Sequence, residues 1–223
     1  MKTMNVLGVT IDEYPLKELL KIASESLAGP NVCTMSWVSG SVLLSLDDDA
    51  FQKEWLEDID ITLGMINVNL KNGRLARLTD DDGKNRDFMD NYFKYLSNTG
   101  VEPAIVCDNA ERLEHFKEWL KKINPKFKIS SEHIFDSMDD KDELFNKLNG
   151  EGQRIVLVCV PWTIEGPLLM NAHHVSNTPV WLSVLPEMII DMDCKKKRFD
   201  SIFDGWVFRR RVKKYSKTNK ENK

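Results

Sequence analysis

Arg154-Ile155-Val156-Leu157-Val158-Cys159-Val160 is a nearly continuous apolar run rich in β-branched residues. A strand without polar alternation is covered on both faces, and such strands belong to parallel sheets whose crossovers are helices. Working outward, strands and helices alternate in the same sense. Met4–Val9 reads as a short strand, and Pro15 opens a helix through Ser26. Asn31–Thr34 reads as the next strand, followed by an apolar helix over Val38–Leu46. Asp49 is placed to cap a helix from Ala50 to Leu56. Ile59–Leu63 reads as a buried strand, and Asn85–Ser97 is amphipathic, with Phe88, Met89, Tyr92, Phe93 and Leu96 on one side.

Pro103–Cys107 predicts another strand, and Asn109 caps a helix to Ile123 whose apolar stripe is Leu113, Phe116, Trp119 and Leu120. Phe127–Ser130 then predicts a short strand, Asp142–Asn149 a helix, Pro167–His174 a helix and Val180–Leu185 a strand. The expected fold is therefore α/β, a parallel Rossmann-like sheet with helices on both faces. In such sheets ligands bind beyond the carboxyl ends of the strands.

Charge divides the chain of 223 residues unevenly. Net charge is −4, yet residues 208–223 hold eight of the 31 bases and one of the 35 acids, which leaves 23 bases against 34 acids in residues 1–207. We read residues 1–194 as the α/β domain and 195–223 as a basic C-terminal helix (Arg198–Tyr215) and tail. An acidic body with a basic tail suits an anionic surface. Arg209, Arg210, Arg211, Lys213 and Lys214 are the expected membrane contacts. Nucleic acid is disfavoured, because no aromatic residues interleave with those bases. No signal peptide or ~20-residue apolar span is apparent, so the expected location is cytoplasmic, peripheral on the inner membrane face.

Motif chemistry is sparse. There is no GxGxxG, Walker loop, HExxH or GxSxG. Cys33, Cys107, Cys159 and Cys194 lack metal-ligand spacing and read as buried reduced thiols. His173-His174 diverge by about 100° on a helix, which disfavours a shared metal, and no cofactor is expected. Asp47-Asp48-Asp49 and Asp80-Asp81-Asp82 read as caps or solvated turns. Trp162 and Glu165 lie just past the central strand, where a ligand would sit. Most telling is Ile59-Asp60-Ile61-Thr62-Leu63-Gly64-Met65, a strand running into a loop that offers no proton acceptor after Leu63.

From Met4 to about Asp191 the chain resembles the WecG/TagA/CpsF glycosyltransferases of bacterial surface-polymer synthesis. The likeness is carried by Met4-Asn5-Val6-Leu7-Gly8-Val9-Thr10-Ile11-Asp12, by Asp58–Leu63, and by Gly100 through Asn124-Pro125-Lys126-Phe127-Lys128-Ile129. The resemblance implies transfer of an N-acetylhexosamine-type sugar from a UDP donor to a polyprenyl-linked acceptor. The family's signature positions are altered, however. Its Thr-x-Asn reads Thr34-Met35-Ser36, its catalytic aspartate falls on Met65, and its following glycine on Ile66. Its paired glycines fall on Cys107 and Asp108, next to Asn109, and its Pro-Lys-Gln-Glu on Thr163-Ile164-Glu165-Gly166. Its later glycine-rich strand end reads Ser183–Ile189.

The implied substrate-binding positions are thus Thr34, Ser36, Met65, Cys107, Asp108, Asn109 and Glu165, with no catalytic residue assigned. A general base is worth about 10²–10⁴ in rate, and methionine cannot supply it. Three readings stand. One is a catalytically impaired relative acting through binding, alone or in a homo- or hetero-oligomer. Another is an active enzyme that has recruited Glu165, Asp108 or the Asp80–Asp82 group. The third is an unrelated α/β binding protein.

Overall fold

The computed structural model describes residues 2–48, 50–64, 66–71, 74–80, 82–186, 189, 210 and 211, and their side chains outside 41, 47–52 and 66–86. In chain order the elements are β1 (Lys2–Val6), β2 (Val9–Glu13), α1 (Leu16–Ser26), β3 (Cys33–Val38), α2 (Gly40–Asp48), α3 (Ala50–Glu57) and β4 (Ile61–Gly64). Then come β5 (Ile66–Lys71), β6 (Arg74–Asp80), α4 (Asp82–Thr99), β7 (Ala104–Cys107), α5 (Ala110–Ile123) and β8 (Ser131–Ile134). A 3₁₀ turn at Met138–Asp140 leads into α6 (Lys141–Glu151), β9 (Ile155–Cys159), α7 (Trp162–Val175) and β10 (Val180–Ser183).

Eight strands form one sheet in the order β1-β2-β4-β3-β10-β9-β7-β8, and β5 pairs with β6 in a separate hairpin. Only β1 runs antiparallel within the large sheet. The mixed α/β, Rossmann-like class expected from the sequence is the class observed. Helices α2, α3, α6 and α7 cover one face and α1, α4 and α5 the other, each over its own apolar cluster.

The register explains why the sheet is so well buried. Ile105, Leu157, Leu182, Met35 and Ile61 stand opposite one another across β7, β9, β10, β3 and β4. All five are buried, and all five face α1, α4 and α5. Parallel pairing puts like-facing residues side by side, so this row forms a continuous apolar stripe across the sheet. Phe88, Tyr92, Phe93 and Leu96 of α4 pack onto that face, with Trp37 and Phe88 ring centroids 5.7 Å apart. Arg154, just before β9, donates to the Leu27 carbonyl at 2.7 Å and so satisfies an orphan acceptor at the end of α1.

Four local expectations need correction. Met4–Val9 is a hairpin rather than one strand, reversing at Leu7 (φ 54°) and Gly8 (φ 85°). A leucine at positive φ is unfavourable; here its side chain is only 1% exposed within the core, its carbonyl accepts from Lys53 Nζ at 3.1 Å, and Asn5 Oδ1 accepts from the Gly8 N–H. Phe127–Ser130 is not a strand. Phe127 turns into the core against Phe93, and the strand is the polar Ser131–Ile134, which edge position permits. Helix α7 begins at Trp162, not Pro167, and the proline is accommodated in its second turn. Asp47 and Asp48 end α2, Asp80 ends β6 and Asp82 opens α4, so the solvated-turn half of the caps-or-turns reading falls while the element-end half stands. The β5–β6 hairpin was not anticipated. Asp49 and Asp81, the domain boundary at 194/195 and most of the Arg198–Tyr215 helix lie outside the described residues; Arg210 and Arg211 are helical.

Because Leu157 sits mid-row in the central strand, Leu157→Ala is expected to destabilise the protein by about 2–5 kcal/mol in urea unfolding. A loss below about 1 kcal/mol would contradict the placement of β9 at the centre of the core.

Candidate functional site

One step further along the strands, on the opposite face, the row changes character. Val106 and Val158 stand opposite one another, and Val158 faces Ser183; Ser36, which faces Thr62 on β4, is the next residue after the Met35–Leu182 pair. Ser36, Thr62 and Ser183 are all buried and point toward the side covered by α7. There the first turn of α7 presents Glu165, itself fully buried. Ser36 Oγ donates to Glu165 Oε1 at 2.6 Å, a length typical of a hydroxyl bound to a carboxylate. The Glu165 N–H bonds the Pro161 carbonyl, which fixes the residue at the helix start, where the dipole favours a carboxylate.

The helix comes this close because of its neighbour. A Cβ on Gly166 would lie 2.4 Å from Trp55 Cε3, so a side chain there is sterically excluded. Trp55 and Trp162 rings sit 6.3 Å apart, closing α3 over α7 beside the glutamate. Ser183 Oγ and the Trp37 and Trp162 indole N–H groups are buried without hydrogen-bond partners among the described residues.

The adjacent strand ends are equally closed. Cys107 and Cys159 face each other across β7 and β9, both buried and reduced. Burial pushes the Cys159 thiol well above its ordinary range, and the neighbouring Cys107 adds to this, so neither geometry nor charge favours a reactive thiolate. Asp108 is paired with Arg112 at 2.6 Å. Asn109 caps α5, accepting from the Arg112 N–H at 2.8 Å, and donates to Asp108 at 3.1 Å. Asp108, Asn109 and Arg112 are therefore occupied with one another.

Thr34 belongs elsewhere. It lies at the amino end of β3, with its hydroxyl 3.0 Å from His173 Nε2 and its N–H donating to Asp60 Oδ2 at 2.8 Å. Asp60 returns a bond from its own N–H to Thr34 Oγ1 at 3.2 Å, and His173 lies 3.2 Å from its carboxylate. This closed knot joins β3, β4 and the last turn of α7. Of the expected positions, the structure brings Ser36 and Glu165 together, seats Cys107, Asp108 and Asn109 at a neighbouring strand end, and separates Thr34 from both. Met65, Arg209, Lys213, Lys214 and Cys194 lie outside the described residues. Cys33 is half-buried.

Arg112 and Trp37 carry no signal of a site in the sequence, and Asp60 and Ser183 fall only within quoted stretches, without a role of their own. The Asn109-x-x-Arg112 spacing does contain a signal for the capped helix, but nothing adjacent in sequence links Asp60 to His173. Among the described residues, no group of three or more His, Cys, Asp and Glu side chains could hold a metal ion, and no helix is long and apolar enough to cross a membrane. No protein-family model matches the sequence, and no curated protein matches it.

Gly166→Ala is expected to destabilise by about 1–3 kcal/mol through overpacking against Trp55. Combining it with Trp55→Leu should recover part of that loss in thermal unfolding; no recovery would contradict the close approach of α3 and α7.

Proposed function

We propose that this protein is a glycosyltransferase-like scaffold of bacterial surface-polysaccharide or teichoic-acid synthesis that acts through binding rather than turnover. The observation that carries the reading is the buried Ser36–Glu165 bond. A base for sugar transfer must reach an acceptor hydroxyl or phosphate at hydrogen-bond distance. Glu165 is fully buried and engaged by Ser36, so an incoming acceptor has no solvent path to it. Asp108 is neutralised by Arg112, and Asp12, at the end of β2, accepts from the Thr62 N–H at 2.9 Å. Cys107 and Asp108 further oppose a diphosphate, the first by its bulk and the second by like charge, where glycine would let backbone N–H groups approach.

In this reading the fold keeps a docking role at the cytoplasmic membrane face. Its basic tail, Arg209 to Lys214 foremost, meets anionic lipid with roughly 1 kcal/mol per base, screened by salt. The alternative, an active enzyme using a UDP-sugar and a polyprenyl-linked acceptor, requires a base other than Glu165 and Asp108, such as the half-buried Asp12, whose carboxyl burial pushes above its ordinary range, or the Asp80–Asp82 group.

A single assay separates them. The protein is mixed with anionic vesicles carrying a polyprenyl-phosphate-linked acceptor and radiolabelled UDP-N-acetylhexosamines, then floated on a density gradient. The expected result is co-flotation with no label on the acceptor. Label transfer that persists above a protein-free blank would overturn the silent reading, and failure to float would overturn the membrane reading.

A further inference from the structure

We propose that the outer edge of β8, with the groove between β8 and α6, is a docking site for an extended basic peptide segment of a partner protein. The inference concerns the flank of the sheet and stands apart from the carboxyl-end reading. β8 is the last strand on its side, and among the described residues no strand pairs beyond it. Natural edges are commonly blunted by lysine, proline or a bulge. β8 is Ser131-Glu132-His133-Ile134, paired in regular register with β7; it is short and carries Glu132, but has no lysine, proline or bulge. Ile134 is 50% exposed, one of the few large apolar side chains at the surface.

The strand is also held firmly. Ser131 Oγ donates to Glu151 at 2.6 Å and Ser130 Oγ to Gln153 at 2.7 Å, which pins the segment to the end of α6 and the loop after it. A rigid edge loses little freedom when another strand adds to it, so main-chain hydrogen bonds can contribute to affinity. Beside it runs a groove of about 240 Å³, with Phe135 and Leu144 among its apolar lining, Glu132, Asp140 and Glu143 as its acids, and His133 and Lys147 as its bases. An edge strand flanked by a helix is the geometry in which a peptide adds its backbone to the sheet and drops alternate side chains into the groove.

Charge selects the occupant. Residues 132–143 hold six carboxylates and one lysine. Lys117 answers Glu132 at 3.0 Å and Lys147 answers Glu143 at 2.6 Å. Among the described residues no cation pairs with Asp136, Asp139, Asp140 or Asp142, which surround the 3₁₀ turn at the mouth of the groove. An extended segment alternating Lys or Arg with apolar residues satisfies the edge, the groove and the rim together.

The test uses the full chain and a fluorescein-labelled octapeptide alternating lysine and valine, read by anisotropy. Binding is expected to weaken about tenfold between 50 and 500 mM salt. It should also weaken at least tenfold in the folded variant Asp139→Lys/Asp140→Lys, and vanish for the glutamate–valine peptide. Backbone N-methylation on alternate residues of the basic peptide should abolish it, and the amides of 131–134 should gain hydrogen-exchange protection. Equal binding of the N-methylated peptide, or protection confined to another surface, would overturn the proposal. So would a concentration-dependent dimer of the protein alone that Ile134→Lys abolishes, since that assigns the edge to a second copy.

Discussion

The Ser36–Glu165 hydrogen bond is the constraint on which the rest of this site depends. Burying a carboxylate costs several kcal/mol unless donors and dipoles replace its water. Here the replacement comes from a strand hydroxyl and from the start of α7, and both must be held in place. The glutamate therefore ties the start of α7 to β3, while Trp55 of α3 leaves no room for a side chain at residue 166. Trp55 and Trp162 complete the seal from α3 and α7. A carboxylate so enclosed serves as a fastening. Its availability to a substrate is sacrificed to that role.

The two faces of the sheet show how this arrangement is tolerated. Toward α1, α4 and α5, the row from Ile105 to Ile61 is wholly apolar, and stability comes from uninterrupted burial. Toward α7, the next row has Ser183, Ser36 and Thr62 where the first has Leu182, Met35 and Ile61. Ser36 finds a partner in Glu165, whereas Ser183 Oγ is left without one among the described residues. The amino end of the same sheet is fastened by a second polar knot, Thr34, Asp60 and His173. Both ends of α7 are thus tied to β3, one at Ser36 and one at Thr34.

Much of the architecture was legible in the sequence because it follows from local periodicity. The apolar run at 154–160, the stripe on 109–123 and the Asn109 cap each carry their own signal, and each was observed. Elements whose stability comes from distant contacts were harder. Leu7 adopts a glycine-like conformation because its side chain is captured by the core. Ser131–Ile134 is a strand because β7 offers it an edge, not because it alternates apolar and polar residues. The site was half legible. Glu165 was recognised as lying past the central strand, but its burial depends on Ser36, 129 residues earlier. The sequence likewise contains no hint that Thr34 and His173, 139 residues apart, share a bond that draws Thr34 away from the carboxyl end.

A double-mutant cycle on Ser36→Ala and Glu165→Ala, followed by urea unfolding, tests the fastening most directly. A hydroxyl hydrogen bond to a buried carboxyl predicts a coupling of about 1 kcal/mol or more between the two sites. Effects that add to within about 0.5 kcal/mol would mean that the two groups do not act as a pair, and the account of a sealed carboxylate would be wrong.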